Sequence, residues 1–415
     1  DFPASPPTMR PDMTFSLRWK ALILVAATLA APHISRADDG LRRLRVDADR
    51  SGSAAVVVPL EAHLIHTTQV FPVDEQGRVV ADDRQIEAAL DRLDQLIQAA
   101  GSRLANVVRL HVVLARDDWR GPLRSAFAKR LGGAEGPAWT FVGGETPRPG
   151  AFLAIDAVLT LAEKNPTPGS RVTGSVVPGF TNGSAAYTIL HGGPRVYISG
   201  QAEQDADLAT ATRKTLHSLV DSLRTLGLSR EHVAQFKAFV QPAGSTEVVE
   251  RELSALYEGS TPPPLILVGW KSPATTPIEI ELIAASGAQA GGDGVEYPPL
   301  PPLKPSPVFS RSARVNHGSL IYTSGLLGPE GASGPNQVQG IFDDLRGLLT
   351  EAGSNFRNMA KATYYVSDPT ADAALGSIRP KLYDPARPPA ASKAIVPGVA
   401  APGRGIEIDM IAVAP

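Results

Sequence analysis

The chain has 415 residues and no cysteine. That excludes disulfides, thiolate nucleophiles, Cys-ligated zinc and a lipid-bearing cysteine anchor. Charge of one sign is also missing: the formal net charge is −2, so no basic field gathers nucleic acid or anionic lipid. Aromatic residues make up only 6% of the chain, and nothing in it forms a basic aromatic platform for RNA. Nucleotide motifs are absent, with no GxGxxG after a strand and no GxxxxGK[ST]. The one close histidine pair, His63 and His66, stands at i, i+3 on an expected strand and points to opposite faces, which disfavours a metal site. Long hydrophobic runs are lacking too. The longest, Ala21–Ala31, is too short to span a bilayer.

That run has the setting of a secretory leader. MTFSLRWK begins at Met13 with two cations, the apolar run follows, and Ser35-Arg36-Ala37 is a small-x-small end. The expectation is export to the periplasm or medium with cleavage near Ala37. Asp1–Asp12 would precede the initiator, and residues 1–40 would be absent from the mature protein. A single membrane anchor is the alternative reading of the same run.

What is abundant is self-similarity. ALDRLDQLIQAAGSRLANVVRLHVVL (Ala89–Leu114), TLHSLVDSLRTLGLSREHVAQFKAFV (Thr215–Val240) and IFDDLRGLLTEAGSNFRNMAKATYYV (Ile341–Val366) repeat one pattern. Their helix-ending glycines Gly101, Gly227 and Gly353 stand 126 residues apart. A solenoid repeat is roughly 20–50 residues, so each copy is a small domain in its own right. Gly-, Pro- and Ser-rich stretches at Lys164–Ser184 and Gly287–Ser310 read as extended linkers that bury no core. Domain limits of 41–163, 185–286 and 308–415 follow.

Within each copy the periodicities agree. Leu90, Leu93 and Ile97 share one helical face with Ile86; Leu216, Leu219, Leu223 and Leu226 do so in copy 2, and Ile341, Leu345, Leu348 and Leu349 in copy 3. The following glycine suits a left-handed helix end. A strand is expected at Val107–Leu114, Val233–Val240 and Met359–Val366. A shorter helix, a proline-bearing turn (Pro137, Pro262–Pro264, Pro388–Pro389) and a last strand complete the unit. An earlier strand lies at Leu64–Gln69, Val196–Gln201 and Ile321–Leu326. The result is an α+β domain of order β-β-α-β-α-β, with helices on one face of a sheet.

The early strand motifs VYISGQ (Val196–Gln201) and IYTSG (Ile321–Gly325), with the terminal strands IEIELIA (Ile278–Ala284) and IEIDMIAVA (Ile406–Ala414), resemble the RidA (YjgF) family of reactive-intermediate deaminases. This group also carries the endoribonuclease L-PSP label. Copy 1 is the most diverged, with HTTQ (His66–Gln69) where SGQ belongs. The resemblance implies chorismate-mutase-like domains joined as a single-chain pseudo-trimer, sheets central and helices outside, with ligand clefts between copies. It implies a monomer as the mature state. It also implies hydrolysis of an enamine or imine without metal or cofactor, in which an arginine in a P-x-R turn holds the substrate carboxylate and the first acid of the IEIE strand orients water.

On that pattern Glu279 and Glu407 are the expected catalytic acids. Tyr187, Ser199, Gly200, Gln201, Leu265, Ser324, Gly325 and Ala391 would line the binding clefts. The arginine itself is missing: Trp139, Leu265 and Ala391 stand in its place, and Ala154 replaces the acid in copy 1. Each residue also has a plain alternative. I-E-I-E alternation describes any half-exposed strand, a glycine in a strand permits close packing, and a tyrosine beside a sheet is often core. Arg387, Lys393 and Lys271 flank the proline turns as candidate substitute cations, or as ordinary surface charge. Arg109, Gln235 and Lys361 recur at one strand position, which duplication alone explains. The expected function is a small-molecule site in the clefts of copies 2 and 3, with weakened deaminase chemistry and a preference for neutral or cationic ligands. Non-catalytic binding and a structural or interaction role are the rivals. No nucleic-acid partner is expected, nor any membrane contact after processing.

Overall fold

Helix ends show how closely the three copies repeat. Gly101, Gly227 and Gly353 all adopt positive φ (73°, 72° and 83°). Each donates to a carbonyl three residues back, and the following residue donates five back: Ser102 to Ile97, Leu228 to Leu223 and Ser354 to Leu349, at 2.7–3.0 Å. This double bond is the Schellman ending, and a side chain at the left-handed position would strain it.

A computed structural model of the chain describes residues 40–161, 172–180, 183–287, 292–300 and 306–415. The expected leader lies outside these residues. No helix among the described residues is long and apolar enough to cross a membrane.

Copy 1 contributes β1 (Arg42–Val46), β2 (Ser53–Pro59), β3 (Leu64–Thr67), α1 (Gln85–Ala99), β4 (Val107–Leu114), α2 (Arg120–Leu131), β5 (Ala138–Gly143) and β6 (Leu153–Thr160). Copy 2 repeats this with β7 (Val172–Ser175), β8 (Tyr187–Leu190), β9 (Arg195–Gln201), α3 (Leu208–Thr225), β10 (Val233–Val240), α4 (Thr246–Leu256), β11 (Leu265–Gly269) and β12 (Ile278–Ala285). Copy 3 has β13 (Val295–Glu296), β14 (Ser312–Val315), β15 (Ser319–Thr323), β16 (Leu326–Leu327), α5 (Gly334–Glu351), β17 (Met359–Val366), α6 (Pro369–Leu382), β18 (Ala390–Ile395) and β19 (Ile406–Ala414). The expected α+β order holds. The proline turn of each copy leads into a further strand, parallel to its neighbour: β4 with β5, β10 with β11 and β17 with β18.

Sheet membership is offset from the repeats. Copy 1's sheet runs β5-β4-β6-β3-β8-β7, so its last two strands belong to copy 2. Copy 2's sheet runs β11-β10-β12-β9-β14-β13 and ends on strands of copy 3. Copy 3's sheet is closed by β2 and β1 from the start of the chain. Every copy thus hands its N-terminal hairpin to the preceding copy, in a closed cycle. The short links that carry the chain between sheets pack on one another: Gly193 N donates to Leu60 O at 2.9 Å, and a Cβ on Gly192 would lie 2.0 Å from Glu61 O. The linkers were expected to stay extended and bury nothing. Instead β7 and β13 lie within them, and Val295 and Leu300 are buried, because an edge strand needs only one apolar face to dock.

Three apolar clusters lie between each sheet and its helix pair, built on Leu93, Leu219 and Leu345 among others. Two more clusters draw on all three copies and fill the space between the sheets' inner faces. Burial on both faces explains why β4, β10 and β17 are buried at every position, polar residues included.

Candidate functional sites: three clefts and a polar axis

Strand register, rather than residue spacing, fixes the equivalences. Arg109 pairs with Ala138 and Lys361 with Ala390, which places Trp139, Leu265 and Ala391 at one position of the repeat. The terminal strands align Ala154, Glu279 and Glu407. The unequal gaps between these two positions are absorbed in the intervening turns. Register also corrects the alignment of copy 1. Val70 bridges Ile155 as Gln201 pairs with Ile280 and Leu326 with Ile408, so Thr68 matches Ser199 and Ser324, and Gln69 matches Gly200 and Gly325. The sequence had set Thr67-Thr68-Gln69 against Ser199-Gly200-Gln201, one place out.

Each cleft joins the acid strand of one copy to the turn-derived strand of the next. Between copies 3 and 1, Glu407 is fully buried, and its Oε1 accepts from Phe141 N at 2.8 Å. Its Oε2 lies 3.7 Å from an Arg120 nitrogen, with no closer partner for either atom among the described residues. Burial pushes the Glu407 carboxyl up to about 8, despite Arg120 and the Phe141 N–H. Trp139 closes the cleft: its indole stacks on Phe141 at 5.4 Å and donates to Ser51 O at 2.8 Å. Ser324 Oγ accepts from Trp139 N (2.9 Å) and donates to Ser53 O (2.7 Å), while Gly325 N donates to Trp139 O (2.8 Å).

Between copies 2 and 3, Glu279 is only partly buried. Desolvation and the neighbouring Glu281 raise it to about 7, while Lys361, Ser392 and Lys393 oppose the rise. Ser199 Oγ accepts from Ala391 N at 2.7 Å and Gly200 N donates to Ser392 Oγ at 3.1 Å. In both clefts the Ser-Gly N–H groups are therefore engaged, and the glycine serves close packing. A Cβ on Gly200 would sit 1.9 Å from Glu279 Oε1, and one on Gly325 1.7 Å from Glu407 Oε1. Ala391 stands at the position that Trp139 holds in the first cleft.

Between copies 1 and 2 the chemistry is exchanged. Ala154 removes the carboxylate and Gln69 occupies the glycine position. The Gln69 amide accepts from Leu267 N and donates to Leu267 O, both at 3.0 Å. Leu267 is the counterpart of Phe141, so the acceptor survives while its charge is gone. A cavity of about 350 Å³ opens beside it, lined by Thr68, Gln69, Arg148, Glu247, Leu265 and Leu267 among others.

Two expected site residues lie elsewhere. Tyr187 belongs to β8 and is packed in the copy 1 core, with its hydroxyl donating to Ala99 O at 3.3 Å. Gln201 bonds Ser218 and Ser222 of α3 at 2.8 Å each. The substitute cations divide as well. Arg387 clamps the copy 3 hairpin through Asp293 and Val295 O, whereas Lys393, paired with Asp372, acts on Glu279. Cations do act on both acids: Arg120 on Glu407, and Lys361 with Lys393, one of the expected substitutes, on Glu279. Two of these come from α2 and β17, elements remote from the P-x-R turn.

The sequence reading missed a polar ring at the centre, where equivalent residues of the three copies converge. Lys361 pairs with Glu281 at 2.5 Å and Arg109 with Asp409 at 3.5 Å, each cation reaching the preceding copy's acid. Gln235 cannot repeat this, so Asp156 takes His111 at 2.7 Å, and Lys237 donates to Tyr365 at 3.2 Å. Neighbouring cations hold Asp156, Glu281 and Asp409 below the usual carboxylate range despite full burial. The signal was present in the sequence: polar residues at the same two positions of three otherwise apolar strands, with Asp156, Glu281 and Asp409 at one equivalent position of the terminal strands.

Residues 303–414 match the family described as Endoribonuclease L-PSP. No curated protein matches the chain. Similar solved structures include a YjgF family member from Neisseria meningitidis, at 22% identity over 29% of this chain and 95% of that one, with a TM-score of 0.22. A second is a putative endoribonuclease from Thermotoga maritima, at 23% identity over 29% and 99%, with a TM-score of 0.23. A third is a member of the YjgF/YER057c/UK114 family from Mycobacterium tuberculosis, at 24% identity over 25% and 86%, with a TM-score of 0.21.

Proposed function

We propose that this chain, whose third copy belongs to the L-PSP (RidA, YjgF) family and whose other copies repeat its elements, hydrolyses a small imine or enamine in the cleft between copies 2 and 3. One observation carries the reading. Glu279 is a half-buried residue whose carboxyl is raised to about 7 by desolvation and by Glu281, in the cleft where Ala391 takes the position of Trp139. A group titrating near working pH can both give and take a proton. Protonated Glu279 would donate to the imine nitrogen, and its carboxylate would then take a proton from the attacking water. The carbinolamine collapses to a carbonyl compound and ammonia; an enamine enters by protonation at carbon. The step uses neither metal nor cofactor. With Ala391 in place of the arginine, this position offers a substrate carboxylate no two-pronged guanidinium contact.

The test is release of ammonia from imines made from neutral amines and from amino acids. Glu279→Gln should lower kcat at least 100-fold with KM little changed, and Glu407→Gln should not. Equal loss in both variants, or none in either, would remove Glu279 from the role.

Non-catalytic binding has support of its own in the cavity of about 350 Å³ between copies 1 and 2, which has no first-acid carboxylate. The closed exchange of hairpins favours a monomer, to be checked by light scattering. Export remains our proposal from the Met13–Ala37 pattern, checked by N-terminal sequencing of the protein from a periplasmic fraction.

A further inference from the structure

Charge on the central axis does not balance. Four basic side chains are buried there: Arg109, Lys237, Lys361 and Arg195; burial and Arg109 lower Lys237, while Glu281, Asp409 and Asp156 help it to keep its proton. Three carboxylates face them: Asp156, Glu281 and Asp409. The histidines do not correct the surplus, since burial drives His66 down to about 3 and lowers His111 as well. A buried guanidinium without a counter-charge is costly, and fully buried Arg195 bonds the carbonyl oxygens of Leu60 and Gly193 and lies against the Tyr322 hydroxyl, with no carboxylate paired to it.

Unsatisfied hydrogen-bonding groups collect at the same place. His66, Tyr197 and Tyr322 are equivalent residues of the three copies on inward-facing strand positions. Both ring nitrogens of His66, both tyrosine hydroxyls and Arg195 Nη1 are buried with no partner in good hydrogen-bond geometry among the described residues, although Gln235 approaches His66 and Tyr322 lies between Tyr197 and Arg195. All but one imidazole nitrogen can donate. Directly alongside lies a chamber of about 20 Å³, lined by Arg109, Gln235, Lys237, Lys361, Thr363 and Glu281 among others. Ile283 and Ile411, the strand partners of Tyr197 and Tyr322, also face it. Such a volume admits one water-sized species and is too small for an oxyanion such as phosphate or sulfate. Three of the polar lining groups are cations and one is an acid, already engaged by Lys361.

We infer that the axis binds one monatomic anion, a halide such as chloride, as the counter-charge that completes the buried ring. The site is separate from the clefts, although Lys361 and Glu281 line it and also act on Glu279, and it stands whether or not Glu279 is catalytic. It would tie the three copies together by a charge that none of them supplies.

The test uses crystals of the full chain, grown from protein purified with bromide as the only halide. An anomalous difference map at the bromine edge should show one peak on the axis, within contact of Lys361 Nζ or Arg109. Water density there without an anomalous peak overturns the inference. In solution, the midpoint of thermal unfolding should rise with the logarithm of chloride at constant ionic strength made up with gluconate. Lys237→Met removes the surplus cation while sparing every ion pair, so this chloride dependence should disappear. A dependence of equal size in that variant counts against the axial site.

Discussion

The cleft between copies 3 and 1 and the cleft between copies 1 and 2 keep the same hydrogen bond by different means. In the first, a carboxylate on the terminal strand reaches past a glycine to the Phe141 N–H. In the second, the glycine has become Gln69, the acid has become Ala154, and the amide grown from the opposite strand bonds the equivalent N–H of Leu267. Neither half of the exchange works alone, because glutamine and glutamate at the two positions claim the same volume. What is conserved inside the molecule is an acceptor for one backbone donor. Charge is optional, and with it the chemistry a carboxyl can perform.

Transplanting half of the exchange is the most damaging way to break this comparison. Gly325→Gln should cost about 3 kcal/mol or more by overpacking, since a Cβ there would lie 1.7 Å from Glu407 Oε1. Gly325→Gln with Glu407→Ala should recover most of the loss, with a coupling energy of about 2 kcal/mol in a urea-unfolding cycle. Additive losses would mean that the pairing in copy 1 is coincidental.

A smaller effect is expected from emptying the other cleft. Gln69→Gly leaves the Leu267 N–H buried without its acceptor and should cost about 2–4 kcal/mol. Adding Ala154→Glu should restore stability at low pH more than at high pH.

Acidity sharpens the contrast further. A carboxyl raised in the folded state contributes fully below its unfolded value, and that contribution is lost as pH climbs through the folded value. Stability should therefore decline from about pH 4.5 to about 8 because of Glu407, with Glu279 adding to the fall up to about 7, and Glu407→Gln should make that decline shallower, most of all above pH 7. Gln69→Ala would leave the decline in place. Denaturant midpoints measured across this range decide the matter.

The mildest change is Gln69→Glu. It should cost under about 1 kcal/mol at pH 6, where the buried acid stays protonated and can still bond Leu267 at both atoms, and more at pH 9. A uniform effect across pH would show that the side chain reaches solvent.

The repeat, its helix faces and its strands were legible because they depend on local periodicity and on a glycine that must take positive φ. The strand limits Val107–Leu114, Val233–Val240 and Met359–Val366 come out unchanged. Exchange of the hairpins was hidden, since the segments 172–175 and 295–296 look like linker and the pairing partners lie in another copy. The acids Glu279 and Glu407 were visible as a motif, but their surroundings were not. Arg120 reaches its cleft from the start of a helix that has threonine and aspartate at the equivalent positions of the other copies, so no pattern pointed to it. Gln69 was misplaced by one residue because a motif match weighs letters, whereas the strand ladder sets the register. Tyr187 was assigned to the copy in which it is encoded, although its strand belongs to the sheet before.

The closed hand-over of hairpins sets an order on biosynthesis. β2 pairs with β15, about 260 positions later, so the first strands to leave the ribosome wait for almost the last. At roughly 5–20 residues per second that wait is on the order of tens of seconds. Over that interval copies 1 and 2 can complete their helix pairs and central strands, while β1, β2 and the open side of copy 2's sheet have no partner. A nascent chain is then a row of half-finished sheets whose exposed edges match those of any sister chain nearby. Closure within one molecule is fast once copy 3 arrives, because the ends are tethered, but at high expression the same edges would link neighbouring chains into open strings.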